Sequence, residues 1–213
     1  MTWDSFKSLL HHDFLTTFAD ADAPVVLADT GLTFYALNDI KVPEAGFIGQ
    51  LAWGAIGYTV AANYGAKLAN DAAGRTRRAV TVVGDAAFAQ SVNALGTIAQ
   101  LGLDSIVFVI DNGVYAIEQW LIDAQAFAEN APPPDFAPLC IVPQGAIWDY
   151  VQMAQAFGGA GHFVHTNDEL RTVLAGLRDV PVNPVTNRPT FTLVAVNIPS
   201  KNLPSNTTWK VNS

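Results

Sequence analysis

Two hydrophobic runs in this chain each end in an oxygen-bearing side chain beside a glycine. The first is Val83-Gly84-Asp85-Ala86-Ala87-Phe88; the second is Phe108-Val109-Ile110-Asp111-Asn112-Gly113-Val114-Tyr115-Ala116-Ile117-Glu118. A helical stretch lies between them. If both runs are neighbouring strands of a parallel sheet, their carboxyl ends lie side by side, where the ligands of such sheets collect. Asp85 and Asn112 then face a common point, next to the amino end of a helix that begins near Ala87. A carboxylate and an amide oxygen there suit a hard divalent cation, and the helix amides suit phosphoryl oxygens. Magnesium wants six oxygens in near-octahedral geometry. Asp85 and Asn112 offer one each, the backbone carbonyl of Val114 a third, and two phosphate oxygens and a water complete the set. The small side chains of Ala86 and Ala87 leave backbone N–H groups open to the phosphates. An Asp ahead of a helix is also a common N-cap, and the residues alone leave that plainer reading open.

The elements that must position these groups alternate in type. Trp3, Phe6, Leu9, Leu10 and Phe14 recur at helical spacing, which predicts an amphipathic helix within residues 2–19. Val25 to Ala28 reads as a short buried strand ended by Asp29-Thr30-Gly31. Residues 53–69 read as a buried helix in which Gly54, Gly57 and Gly65 permit close backbone approach. The apolar stretch from Leu51 to Ala69 contains Asn63 and Lys67, which argues against a membrane span. Strands are expected at Ala79 to Val83, Ser105 to Ile110, His162 to His165 and Thr190 to Val196. Helices are expected at Ala87 to Leu101, from about Val114, and from Trp148 to Phe157, the last closed by Gly158-Gly159. Thr166-Asn167-Asp168-Glu169 has capping-box spacing ahead of a helix ending near Arg178. A proline-rich excursion runs from Ala131-Pro132-Pro133-Pro134-Asp135 to Pro143. Strands alternating with helices predict an open, mostly parallel α/β sheet with helices on both faces. Residues 1–204 form one domain in this reading, with 205–213 as a disordered tail.

Composition narrows the function. Hydrophobic residues make up 50% of the 213 and charged residues only 14%. Either both faces of the sheet are covered, or apolar surface is kept for a partner. The formal net charge is −8, and no basic run exceeds Arg75-Thr76-Arg77-Arg78, which argues against nucleic acid. Cys140 is the only cysteine, so a reducing, cytoplasmic setting suits the chain. The first residues lack a secretory pattern, which leaves Asn206-Thr207-Thr208 without meaning as a glycosylation site. No Gly-x-Gly-x-x-Gly opens a helix, and phosphate-loop and nucleophile-elbow patterns are absent.

Gly84-Asp85-Ala86, followed 27 residues later by Asp111-Asn112, resembles the thiamine diphosphate signature with its Gly-Asp-Gly start and Asn-Asn end. Gln50-Leu51-Ala52-Trp53-Gly54-Ala55-Ile56-Gly57-Tyr58 is similar to the aminopyrimidine-gripping segment of the pyruvate and indolepyruvate decarboxylases. Gly102-Leu103, Phe108-Val109-Ile110 and Tyr115-Ala116-Ile117-Glu118 fall in step with the same family. The likeness runs from the first helix to about Pro204 and covers only the family's C-terminal, diphosphate-binding domain.

The resemblance implies a thiamine diphosphate- and Mg2+-dependent carbon–carbon lyase, most simply a 2-oxo acid decarboxylase or its cofactor-binding subunit. It makes Asp85, Asn112 and the Val114 carbonyl the metal ligands, with Gly84, Ala86, Ala87 and Tyr115 beside the cofactor. Gly54 would accept from the pyrimidine amino group, Ile56 would prop the cofactor in its bent shape, and Thr30 would line the pyrimidine pocket. Ile117 would face the substrate, and Glu118 would be the catalytic acid that handles protons.

The sequence also departs from the family. Ala86 stands for the second glycine, Ala87 lacks a hydroxyl, and Asp111 replaces an asparagine. The stretch between Glu118 and Trp148 is longer by roughly a dozen residues, judged against ordinary loop lengths. The family's pyrimidine-activating glutamate and catalytic histidines belong to a separate domain with no counterpart here. Glu44 is the nearest acid in the pyrimidine half. His11-His12 are expected to face solvent, and His162 and His165 to point to opposite faces of a strand. The implied partners are therefore a small 2-oxo acid and either a second copy of the chain or a separate chain carrying the activating domain. A non-catalytic binding module is the alternative.

Overall fold

Runs of apolar and β-branched residues form the strands of a computed structural model that describes residues 1–128, 136–142 and 148–207. The expectations for 131–135, for Pro143 and for residues 208–213 lie outside the described residues. In chain order the regular elements are α1 (Trp3–Leu9), β1 (Val25–Ala28), α2 (Leu32–Leu37), β2 (Phe47–Gly49), α3 (Thr59–Ala72), β3 (Ala79–Gly84) and α4 (Asp85–Ser91). They continue with α5 (Ala94–Leu101), β4 (Ile106–Asp111), α6 (Ala116–Ile122), α7 (Tyr150–Ala156), β5 (Ala160–Val164), α8 (Asn167–Gly176) and β6 (Thr192–Asn197). The six strands form one sheet in the order β2-β1-β3-β4-β6-β5, and every pairing is parallel.

Strand residues alternate between two cores, as the pleat requires. Val80, Val82, Ile106, Phe108 and Ile110 face the side covered by α1, α2 and α8, where Trp3, Phe6, Leu37, Leu170 and Leu174 meet them. Val83, Val107 and Val109 face the other side, against Val60, Phe88, Leu95, Ile98 and Tyr150. Both faces are thus dry, which accounts for the high apolar content and for strands that read as unbroken hydrophobic runs.

The order places β1 next to β3 while the chain leaves β1 toward β2, so connections diverge on either side of the β1/β3 pair. That divergence opens a crevice at the carboxyl ends of the strands.

Local departures from the sequence expectations have physical reasons. The predicted helix 53–69 begins only at Thr59, because Gly54 and Gly57 adopt φ of +60° and +79°, which no helix contains. Its supposedly buried first part is exposed, with Trp53 at 90% and Ile56 at 40%. The helix expected over 87–101 is two, since Val92 and Asn93 separate α4 from α5. The opening helix continues from Leu10 to Phe14 with a π turn and then a 3-10 turn from Leu15 to Thr17. The short α2 and the three-residue edge strand β2 carry too little periodicity to be read locally. The capping box at Thr166 is present, with Glu169 reaching back to the Thr166 amide. Among the described residues no helix is long and apolar enough to cross a membrane.

Candidate active site

The crevice holds a half-open cleft at the carboxyl ends of the strands. It is lined by the tips of three adjacent strands: Thr30 and Gly31 after β1, Gly84 to Ala87 after β3, and Asn112, Val114 and Tyr115 after β4. Ile56 enters from the loop ahead of α3, and Ile117 and Glu118 from the first turn of α6. The structure therefore brings together every site residue expected from the sequence except Gly54. That residue lies exposed on the loop two positions before Ile56, outside the cleft lining.

Asp85 is the centre of the polar wiring. The N-cap of α4 is Gly84, so Asp85 is the first helical residue and not its cap. One carboxylate oxygen, Oδ1, accepts from the Ala86 amide at 2.7 Å. The other, Oδ2, accepts from the amides of Asn112 at 3.2 Å and Gly113 at 2.8 Å, on the tip of the neighbouring strand. The plainer reading of a simple helix cap does not describe this geometry. Asn112 Oδ1 accepts from the Val114 amide at 3.3 Å, so the amide oxygen turns into the same turn.

Electrostatics at this point are unbalanced. Asp85 is 2% exposed. Burial pushes its pKa up to about 6, although the amides of Gly113 and Ala86 pull the other way, and the charge of Asp111 adds to the rise. Burial also raises Asp111. The Tyr150 hydroxyl beneath the site is raised by burial and then by the charges of Asp111 and Asp85.

No cationic side chain pairs with Asp85 among the ion pairs of the described residues. A hard cation fits what is here: a buried carboxylate without a counter-charge, an amide oxygen, and a backbone carbonyl one turn away. No group of three or more His, Cys, Asp or Glu side chains that could hold a metal occurs among the described residues. A softer metal with an all-side-chain cage is not the kind of site on offer.

The limb 137–142 backs the β4 tip. Tyr115 donates its amide to the Cys140 carbonyl at 2.7 Å and Val142 donates to Gly113 at 3.0 Å, closing a bridge between Val114 and Ile141. Those bonds run through Gly113 and Tyr115, so the bridge leaves the Val114 carbonyl unused. Gln119, buried on α6, accepts from the Ala137 amide at 2.6 Å and pins the same limb.

Sequence reasoning missed Trp3, Leu32, Thr33 and Ala116, which also line the cleft. It missed Asp29 as well, whose buried carboxylate holds the loop that carries Ile56. Trp3 gives no local signal, since a helical apolar position looks the same whether it meets core or cavity. His12 is exposed and His11 partly buried, while His162 and His165 are both exposed on or just after the edge strand.

The sequence profile described as "Thiamine pyrophosphate enzyme, C-terminal TPP binding domain" matches residues 31–191. The alpha-keto-acid decarboxylase of Mycobacterium tuberculosis (strain ATCC 25618 / H37Rv) is 32% identical over 186 residues, 84% of this chain and 28% of that protein. The alpha-keto-acid decarboxylase of Mycobacterium leprae (strain TN) is 33% identical over 188 residues, 85% of this chain and 28% of its own length. This chain thus spans little more than a quarter of these relatives. Among solved structures, benzoylformate decarboxylase from Polynucleobacter necessarius matches with a TM-score of 0.68 at 22% identity, over 94% of this chain and 33% of that one. A thiamine diphosphate-dependent 4-hydroxybenzoylformate decarboxylase from Rhodococcus jostii RHA1 matches at 0.67 and 19% identity, over 94% and 33%. These two likenesses concern the fold.

Proposed function

Because the chain belongs to the thiamine pyrophosphate enzymes, through their C-terminal cofactor-binding domain, we propose that its cleft holds thiamine diphosphate with Mg2+ and serves decarboxylation of a 2-oxo acid. The observation that carries this reading is Asp85, a buried carboxylate joining the tips of β3 and β4 inside the cleft with no positive partner among the described residues.

Asp85, Asn112 and the Val114 carbonyl would hold the cation. The backbone of Gly84, Ala86 and Ala87 would meet the diphosphate, with Tyr115 alongside. Thr30, Ile56 and the Gly54 carbonyl would receive the pyrimidine. When bound, the cofactor supplies an electron sink for the carbanion left by loss of carbon dioxide. The chain supplies the rest: orientation from the strand tips, an apolar wall from Ile56 and Ile117, and a proton-carrying carboxyl at Glu118. Residues 1–204 act as one cofactor-binding domain in this reading. The pyrimidine-activating acid would come from polypeptide that this domain meets, either further sequence, a second copy or another chain; this chain spans 28% of the length of its Mycobacterium tuberculosis relative.

Calorimetric titration with thiamine diphosphate in the presence of Mg2+ tests the reading. Binding is expected for the chain as it stands and lost in Asp85→Ala, whose circular dichroism should match that of the parent. Equal affinity in the two proteins would overturn the assignment.

A further inference from the structure

We propose that Asp29 is a positioning residue that holds the loop 50–58, and so the pyrimidine-side wall of the cleft, in its receiving shape; the inference rests on reading the cleft as a thiamine diphosphate site. Asp29 follows β1 and is 0% exposed. Its backbone is fixed on both sides: the amide donates to the Val82 carbonyl at 3.0 Å, and the carbonyl accepts from Thr33 Oγ1 at 2.5 Å. The carboxylate therefore sits at a place set by the sheet. From there Oδ1 accepts from the Gly57 amide at 3.0 Å. Oδ2 accepts from the Thr59 amide at 3.2 Å and from Thr59 Oγ1 at 2.6 Å.

The loop has little else to hold it. Leu51, Trp53 and Ile56 are exposed, so apolar burial does not fix its course. Gln50 Nε2 donates to the Ala55 carbonyl at 2.7 Å within the loop itself, and outside it reaches Thr30 Oγ1 at only 3.5 Å. Tyr58 adds one tie, donating its hydroxyl to the Ala28 carbonyl at 3.0 Å. The Asp29 contacts are the stronger set because one partner is ionisable and buried.

The point that Asp29 grips is also where the loop touches the helix of the diphosphate side. Gly57, at φ +79°, lies so close to α4 that a Cβ there would stand 2.9 Å from the Ala87 carbonyl oxygen and 2.9 Å from Gln90 Cβ. The Asp29 tether thus presses Gly57 onto the helix that starts at Asp85 and sets where Ile56 stands relative to it. Burying a carboxylate without a cation is costly, and burial raises the pKa of Asp29 accordingly. A helix cap for α3 alone could be had from a local Ser or Asp without burying a charge from a distant strand.

The test splits the cofactor into its two ends. Asp29→Asn keeps the volume but turns an N–H donor toward amide donors; Thr59→Val removes the hydroxyl bond from the other end of the tether. Each full-length chain is titrated with Mg2+ plus thiamine diphosphate and, separately, with Mg2+ plus inorganic diphosphate. Affinity for inorganic diphosphate is expected to be unchanged in both variants, since Asp85, Asn112 and α4 are untouched. Affinity for thiamine diphosphate should fall by about tenfold or more in Asp29→Asn, and by less in Thr59→Val, through lost preorganisation.

Hydrogen exchange without any ligand gives a second readout. The amides of Gly57 and Thr59 should exchange faster in Asp29→Asn while those of β3 and β4 keep their protection. Equal weakening of both probes, or unchanged exchange at those two amides, would overturn the positioning role. A parent chain that binds neither probe would overturn the reading of the cleft itself.

Discussion

At Asp85 two physical demands conflict. Three amide N–H groups favour the charged form, and burial together with the Asp111 charge opposes it. A divalent cation relieves both penalties, which is why the replacement of an expected asparagine by Asp111 matters. Asp111→Asn removes a like charge beside the site, so Mg2+-dependent affinity for inorganic diphosphate should rise severalfold in a titration at low salt. At Glu118 the expected effect is on rate. Glu118→Gln should leave thiamine diphosphate affinity unchanged and slow the proposed release of carbon dioxide by about 100-fold or more. The pair Asp85 and Asn112 was legible in the sequence because each ends an apolar run beside a glycine. Asp29 was not, because its partners Gly57 and Thr59 lie 28 and 30 residues along the chain and no local pattern records them.

The elements differ in how much of their logic is local. In α8 it is nearly all local: Thr166 Oγ1 accepts from the Glu169 amide at 3.2 Å, and Glu169 accepts from the amides of His165 and Thr166 at 2.7 and 3.0 Å. Thr166→Ala should cost about 1 kcal/mol in chemical denaturation, the usual loss for an N-cap. Those two bonds, with His165 first, hold the Glu169 pKa below its ordinary 4.5. A lowered carboxyl stabilises the fold above 4.5 and ceases to do so as pH falls through the lower folded value. Melting measured through that acid window should therefore lose its dependence on pH in part when Glu169 is replaced by Gln. The loop 50–58 is the opposite case. Its Gly and Ala content imitates a buried helix, whereas two positive-φ glycines and a carboxylate from β1 dictate an irregular course.

Over the whole molecule the fold was readable and the cleft's full lining was not. Apolar runs of strand length alternating with helical spacing suffice for a two-faced parallel sheet, but strand order decides where the crevice opens. The edge strand β2, only Phe47–Gly49, is what makes the order reverse at β1, and three residues give no periodic signal. The first helix is tied to both the sheet and the cleft. Phe6 packs edge-on to Phe108 of β4 at 5.6 Å, while Trp3 reaches the cavity. Phe108→Ala should therefore cost about 3–5 kcal/mol and loosen the cleft floor as well as the core, seen as a lower melting temperature and weaker cofactor binding together.

Two of the tryptophans, Trp3 and Trp53, report on different places. Trp3 is sealed at 1% exposure, whereas Trp53, at 90%, holds its indole in open water on the loop beside the cleft. Fluorescence from such a ring is red-shifted and quenched by iodide. Any polypeptide that settles over that loop would move the emission to shorter wavelength and shield it from the quencher. Assembly could then be followed in solution without a label, with a Trp53→Phe chain as the silent control.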